Sequence, residues 1–376
     1  MPFFLAFAII TISIIAIMYK TYVGYGEYRW YTKLMFLLFL VLSFCAPFIS
    51  YTVRQYISAS SFAYLNRTLY FLFGFVFILF MVSFIRDMLW MLIDVIRKAP
   101  MDDMKNPTLL AKANLITFLC CLCICFYGFY EAQKDAQIVT YDIVSSKVKK
   151  PTKIVALADL HIDVDVSPEY VKNLVNRINN LKPDAILIVG DLVDNTPANL
   201  EKQINEFKNL EPKENIYFVL GNHEYYNDAL SWGITLARMG FHWLGNYGMK
   251  LKDTGVYIAG IHDINSTKDI KATNALHFAE KDDYVIMMSH TPKIAEGINK
   301  DNVDLQISGH THGGQIYPFH YFVKQANDGH IAGYYDVDGV KLYVTRGTRY
   351  WGPPMRILAP SEITVFNLKP QAENGK

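Results

Sequence analysis

Four stretches in the first third of the chain run without a single charged side chain: Phe3 to Tyr19, Leu34 to Val53, Leu69 to Ile85 and Leu115 to Phe129. A hydrocarbon core of about 30 Å takes roughly 20 helical residues to cross, and helices satisfy their own backbone polar groups there. The pattern therefore predicts an all-α membrane region of four transmembrane helices within residues 1–135. The first run carries no Lys or Arg ahead of it and no small-residue cleavage pattern behind it, which argues against a cleaved signal peptide. The fourth is the shortest, so a partly interfacial segment is its other reading. After Ile85 the segment DMLWMLIDVIRK keeps apolar residues at helical spacing, as a surface-lying amphipathic extension or as packing between helices.

Loop charges set the expected orientation. Lys20, Arg29, Lys33, Arg86, Arg97, Lys98, Lys105 and Lys112 flank the first and third connections, against Arg54 and Arg67 in the second. By the positive-inside rule both termini then lie outside, although Lys134, Lys147, Lys149 and Lys150 after the fourth run weaken the signal. The expected location is a bacterial inner membrane. All five cysteines lie in apolar runs, where they read as lipid-facing or helix-packing residues, so the second part must work with oxygen and nitrogen ligands. With 36 Lys and Arg against 35 Asp and Glu, and no basic stripe interleaved with aromatics, nucleic acid is not an expected partner. No protein partner is inferable.

From about Tyr141 the pattern changes to short β-branched runs alternating with polar helical stretches. IVALAD, AILIVGD and IYFVLGN read as strands, and SPEYVKNLVNRINNLKP between the first two reads as a helix, which is βαβ syntax. This predicts an α/β domain over residues 136–370 and a disordered tail over 371–376. Functional groups in open α/β sheets collect at the carboxyl ends of strands. Here those ends carry Asp159-Leu160-His161, Gly190-Asp191-Leu192-Val193-Asp194 and Gly221-Asn222-His223-Glu224, followed by His290 and Gly309-His310-Thr311-His312. Asp159 and His161, two residues apart, would share one face of a straight strand, and the Asp191 carboxylate can bridge two ions. Glycines at 190, 221 and 309 allow tight turns against a site. A pair of divalent ions held this way can clamp a phosphate and supply hydroxide. Manganese, iron, zinc and magnesium all suit such ligands.

These five blocks, in this order, resemble the calcineurin-like metallophosphoesterase superfamily over about residues 150–368. The resemblance implies a two-sheet β-sandwich flanked by helices and two divalent metal ions. Asp159, His161, Asp191 and His312 would hold the first ion, and Asp191, Asn222, His290 and His310 the second. His223 would stabilise the phosphate and give a proton to the leaving oxygen, with Asp194 orienting it, although a turn role for Asp194 stays open. The segments GHTHGGQIYP and TRGTRYWGPPMRILAPSEITVFNL look like a membrane-associated or exported bacterial subgroup that includes a UDP-2,3-diacylglucosamine hydrolase of lipid A synthesis. Gly313 and Gly314 would let backbone amides approach the site, and Arg346, Arg349 and Arg356 are phosphate-binding candidates or structural ion pairs. His262 could face substrate, while His242, His277, His320 and His330 read as ordinary surface or core residues.

The expected function is hydrolysis of a phosphate ester or pyrophosphate in a lipid-linked substrate such as UDP-2,3-diacylglucosamine. The alternative is an external phosphodiesterase acting on cell-envelope or head-group phosphodiesters. A catalytically silent membrane sensor or scaffold is the reading from another class; the intact ligand set argues against it. Charge-free apolar runs argue against a transporter.

Overall fold

The computed structural model describes residues 2–24, 26–98 and 106–372. The chain forms two compact units: residues 1–133 with 352–355, and residues 134–351 with 356–376. The tail expected at 371–376 lies mostly outside the described residues, as does Lys105 in the third connection.

The first unit is helical: α1 (Pro2–Tyr19), α2 (Trp30–Val53), α3 (Ala59–Arg97) and α4 (Pro107–Gln133). Among the described residues, three helices are long and apolar enough to cross a membrane, within α2, α3 and α4. Of the first apolar run, Ala8–Gly24 is a shorter apolar helical stretch. Four spans are thus not borne out. DMLWMLIDVIRK simply continues α3, and Arg86, counted above as a loop charge, lies inside that helix, paired with Asp87 and donating to Thr117 of α4. Aromatic pairs such as Phe39 with Phe75, Phe71 with Phe129 and Phe75 with Phe118 lock the helices together. Leu38, Leu42, Ile116 and Leu119 stay exposed, an outward apolar surface that water would not tolerate at this extent. Cys121 and Cys125 are buried, Cys45, Cys120 and Cys123 exposed, and all five are free thiols.

The second unit stacks two six-stranded sheets. The first runs β1 (Gln137–Ser145), β12 (Glu362–Pro370), β2 (Thr152–Leu157), β3 (Ala185–Val189), β4 (Ile216–Val219), β5 (His242–Trp243). The second runs β10 (Gly333–Val337), β11 (Val340–Val344), β9 (Leu305–Ser308), β8 (Tyr284–Met288), β7 (Val256–Gly260), β6 (Tyr247–Leu251). Strand periodicity assigns the faces. In β2, Ile154 and Ala156 point into the core shared with Ile258, Ile286 and Ile307 of the other sheet, while Val155 and Leu157 point outward. Those outward residues are covered by α5 (Pro168–Asn180) and α8 (Ala229–Arg238), through Val171, Leu174, Trp232 and Leu236. Because both faces are covered, the strands are buried along their whole length rather than in alternation.

β2, β3 and β4 pair in parallel, so their carboxyl ends meet on one edge. α5 begins where the sequence placed it, with Ser167 accepting from the Tyr170 amide and Pro168 in the first turn. The remaining helices are short: α6 (Glu201–Asn205), α7 (Asn222–Tyr226), α9 (Ala272–Ala275) and α10 (His320–Ala326).

Candidate metal centre

The loops leaving β2, β3, β4, β8 and β9 converge at the sheet edge, and each delivers one sequence block. Asp159 and His161 do not share a straight strand, as their spacing suggested, because β2 ends at Leu157. Instead Asp159, His161, Asp191, His310 and His312 all take left-handed backbone, with φ of 56°, 46°, 50°, 71° and 52°. Non-glycine residues adopt that region at a cost, which is typical where a site fixes side-chain direction.

Three groups of ligand atoms result: His161, Asp194 and His223, joined by hydrogen bonds to Asp194, and two that flank Asp191. Asp159, His161 and His312 place one atom each within 4.8 Å of one another, and Asp191, His290 and His310 do the same. Asp191 Oδ2 lies 3.2 Å from His290 Nε2 and 3.8 Å from His161 Nε2, so its carboxylate sits between the groups. Asn222 Oδ1 joins the second group, 3.2 Å from His290 Nε2 and 2.9 Å from His310 Nδ1.

The residues fit divalent cations on their own chemistry. His290 Nδ1 donates to the Val189 carbonyl, and His161 Nδ1 donates to Asp194, so in each ring the Nε2 lone pair is left facing the cleft. His161 Nε2 and His312 Nε2 stand 2.9 Å apart and point at each other, a natural place for a shared positive charge. Two glycines keep the space open. Gly190 has φ of +82°, and a Cβ on Gly221 would collide with Asp191 Oδ1 and meet His290 Nε2 at 2.8 Å.

Electrostatics follow from burial and these pairings. Burial alone would lower the His223 imidazole, but its hydrogen bond to Asp194 and the charge of Asp191 outweigh that and raise its pKa to about 9. Asp194 Oδ1 accepts from His223 Nδ1 at 2.7 Å and from His161 Nδ1 at 2.8 Å, so it orients two rings rather than one. Burial resists ionisation of Asp191 and Asp194, yet the neighbouring imidazoles hold both below the usual carboxylate range. Burial lowers His310 to about 4 with help from His290; burial, His161 and Arg356 also hold His312 well below the usual imidazole value.

The arginine and glycine candidates serve the walls. Arg356 is buried; Nη1 donates to the carbonyls of His312 and Ala359, and Nη2 to those of Arg346 and Arg349 while lying 3.3 Å from His312 Nδ1. It is a strut behind a metal-ligand candidate, away from any phosphate in the cleft. Arg346 pairs with buried Glu362 at 2.7 Å. Arg349 donates to the His161 carbonyl and stacks on Tyr350. Gly313 and Gly314 form the turn after His312, their amides donating to Thr311. His262 contacts the Tyr225 hydroxyl at 3.0 Å, and His242 the Glu214 carbonyl.

Glu224 had no role assigned from sequence. Its buried carboxylate accepts the amides of Asp191, Val193 and Gly221, tying the β3 and β4 loops together. Burial and the nearby Asp191 charge raise its pKa to about 8. The open side of the site is a cleft of about 390 Å³, lined by His161, Asp191, Asn222, His223, His310 and His312 on one side and by Trp351 and residues of α10 on the other.

The calcineurin-like phosphoesterase family model matches residues 152–314. An uncharacterized metallophosphoesterase of Helicobacter pylori J99 is 33% identical over 252 residues, which cover 65% of this chain and 67% of that protein. The Campylobacter jejuni metallophosphoesterase Cj0846 is 32% identical over 255 residues, 64% of this chain and 65% of that protein. The Bos taurus transmembrane protein with metallophosphoesterase domain is 32% identical over 263 residues, 64% of this chain and 59% of that one. The chain thus spans about two thirds of the length of these relatives. The sequence match and the converging ligand loops give one conclusion: the chain belongs to the calcineurin-like metallophosphoesterase family.

Proposed function

We propose that the chain is a membrane-anchored phosphoesterase that uses two divalent metal ions to hydrolyse a phosphate ester or pyrophosphate of a lipid-linked molecule. The observation that carries this reading is the pair of ligand groups with the Asp191 carboxylate between them at the floor of an open cleft. Asp159, His161, Asp191 and His312 would hold one ion, and Asp191, Asn222, His290 and His310 the other. When bound, such a pair supplies Lewis acidity toward the phosphoryl group and makes hydroxide available near neutral pH. The chain's own groups do the rest. His223, cationic through its Asp194 partner, faces the cleft, stabilises a phosphate oxygen and gives a proton from Nε2 to the leaving oxygen.

Three long apolar helices support a substrate delivered in the lipid plane. UDP-2,3-diacylglucosamine is the leading candidate and requires a cytoplasmic catalytic unit. A cell-envelope phosphodiester is the alternative, favoured by the loop charges, which put that unit outside. Purified, detergent-solubilised protein with manganese is assayed on UDP-2,3-diacylglucosamine and on bis-p-nitrophenyl phosphate, with Asp191→Asn as blank. Metal-dependent release of UMP selects the first substrate, and activity on the generic diester alone selects the second. Activity in Asp191→Asn equal to wild type, or none in wild type on either compound, overturns the reading.

A further inference from the structure

Opposite the ligands, the cleft is walled by hydrocarbon. Phe319, Phe322, Val323 and Ala326 from α10 and its start form one part and Trp351 the other, and Asn327 is turned inward to the Val323 carbonyl. Apart from the Trp351 indole N–H and the Asn327 carboxamide, whose Nδ2 is spent on the Val323 carbonyl, these side chains are hydrocarbon with no donor or acceptor for reading a base or a sugar hydroxyl. Phe322 is 57% exposed and Trp351 51% exposed, so large apolar surface faces solvent beside a polar metal centre. Burying such surface is worth about 25 cal/mol per Å², so leaving it open beside the reacting atoms needs a reason.

Trp351 is also held with unusual care. The Gln315 carboxamide takes both of its backbone groups: Trp351 N donates to Oε1 at 3.0 Å, and Nε2 donates to the Trp351 carbonyl at 2.8 Å. Gln315 itself sits at φ 44°, ψ −50°, a sparsely populated region for a side-chain-bearing residue. Its carbonyl accepts from Ile357 and its amide donates to the His312 carbonyl. One residue therefore ties the Trp351 backbone, from which the indole projects, to the loop that carries His310 and His312. The indole meets His223 edge-on at 5.5 Å and lies 6.3 Å from His161, at the rim of the candidate metal centre.

We infer that Trp351 and Phe322 form a subsite for an alkyl or acyl chain joined to the phosphate through its ester oxygen, with Gln315 as the positioning residue. This rests on the phosphoesterase reading and specifies which part of a lipid-linked substrate the cleft recognises.

The test uses detergent-solubilised full-length protein with manganese and p-nitrophenyl alkyl phosphate diesters from methyl to hexyl, short enough to limit micelle partitioning. For wild type, kcat/KM rises about two- to fourfold per added methylene, as burial of a CH₂ predicts. The hexyl-to-methyl ratio collapses toward one in Trp351→Ala, is partly restored in Trp351→Phe, and falls in Gln315→Ala through KM rather than kcat. A flat wild-type series, or a ratio unchanged in Trp351→Ala, overturns the subsite. A second readout is independent of turnover: hexylphosphonate, but not methylphosphonate, blue-shifts tryptophan emission in wild type and not in Trp351→Phe. That shift without any hydrolysis would leave the subsite standing and sink the phosphoesterase function. Hydrolysis without the shift does the reverse.

Discussion

Around His161 and His312 the supporting groups are charged, with the Asp194 carboxylate on His161 Nδ1 and the Arg356 guanidinium against His312, while Asp159 accepts the His310 amide. Around Asp191, Asn222, His290 and His310 they are main chain: the Val189 carbonyl orients His290, and the His223 amide donates to Asp191 Oδ1. A ligand oriented by a carboxylate gains basicity from it and loses that gain when the charge is removed. A ligand oriented by backbone depends on loop geometry instead. The two halves of the centre should therefore fail in different ways.

The largest separation is expected from Asp194→Asn. The amide keeps an acceptor for one ring but removes the charge shared by His161 and His223. Partners of this kind contribute roughly 10- to 100-fold in metal affinity. Calorimetric titration of manganese into chelator-treated protein should show one weakened binding step beside one unchanged step. Equal weakening of both steps would erase the distinction between the halves.

Glu224 is the corresponding point of failure for the backbone-supported half. Its carboxylate accepts three amides, two of them on one oxygen. Glu224→Gln turns an NH₂ toward at least one of those donors, and a buried unsatisfied amide costs about 1–3 kcal/mol. Denaturant unfolding should show that loss of stability, together with weaker manganese binding in the step that Asp194→Asn leaves alone. Stability within error of wild type would mean that Glu224 is not the clamp between the β3 and β4 loops.

The ligands were legible in sequence because each follows a β-branched run that had to be a buried strand, so the strand ends, and with them Asp159, Asp191 and Asn222, were located by pattern. Their backbone was not. Left-handed φ at Asp159 and His161 is imposed by amide partners on other loops: Asp159 N donates to Gly190 O and His161 N to Asp191 O. Arg356 looked like a phosphate ligand because sequence shows the guanidinium and hides the four carbonyls gathered around it, three from turns within ten residues and one from His312. The Gln315–Trp351 pairing was invisible for the same reason, although both residues stood inside the quoted segments. In the helical unit, apolar composition predicted helix correctly, and among the described residues α2, α3 and α4 are long and apolar enough to span while the fourth span is not confirmed.

The smallest effect concerns pH, and it sharpens the comparison without any metal present. In chelator-treated protein the folded-state pKa of His223 is about 9, above the ordinary value near 6.5. Its imidazolium therefore contributes stability that is fully present below about 6.5 and lost as pH rises through about 9. Glu224 acts with the same sign. Its folded pKa of about 8 exceeds that of an exposed carboxyl, so the unfolded chain releases the proton first and stability falls up to about pH 8. His290, raised by Asp191 against the effect of burial, adds to the decline from the backbone-supported half. The Tm of the chelated protein should thus drop by a few degrees between pH 6.5 and 9, since roughly 1 kcal/mol moves a domain of this size by about 2–4 °C. In Asp194→Asn only the His223 share disappears, so the decline becomes shallower above pH 8 and persists below it. An equal slope in both proteins would show that Asp194 does not set the charge of His223, and the contrast between a charge-supported and a backbone-supported half would lose its main argument.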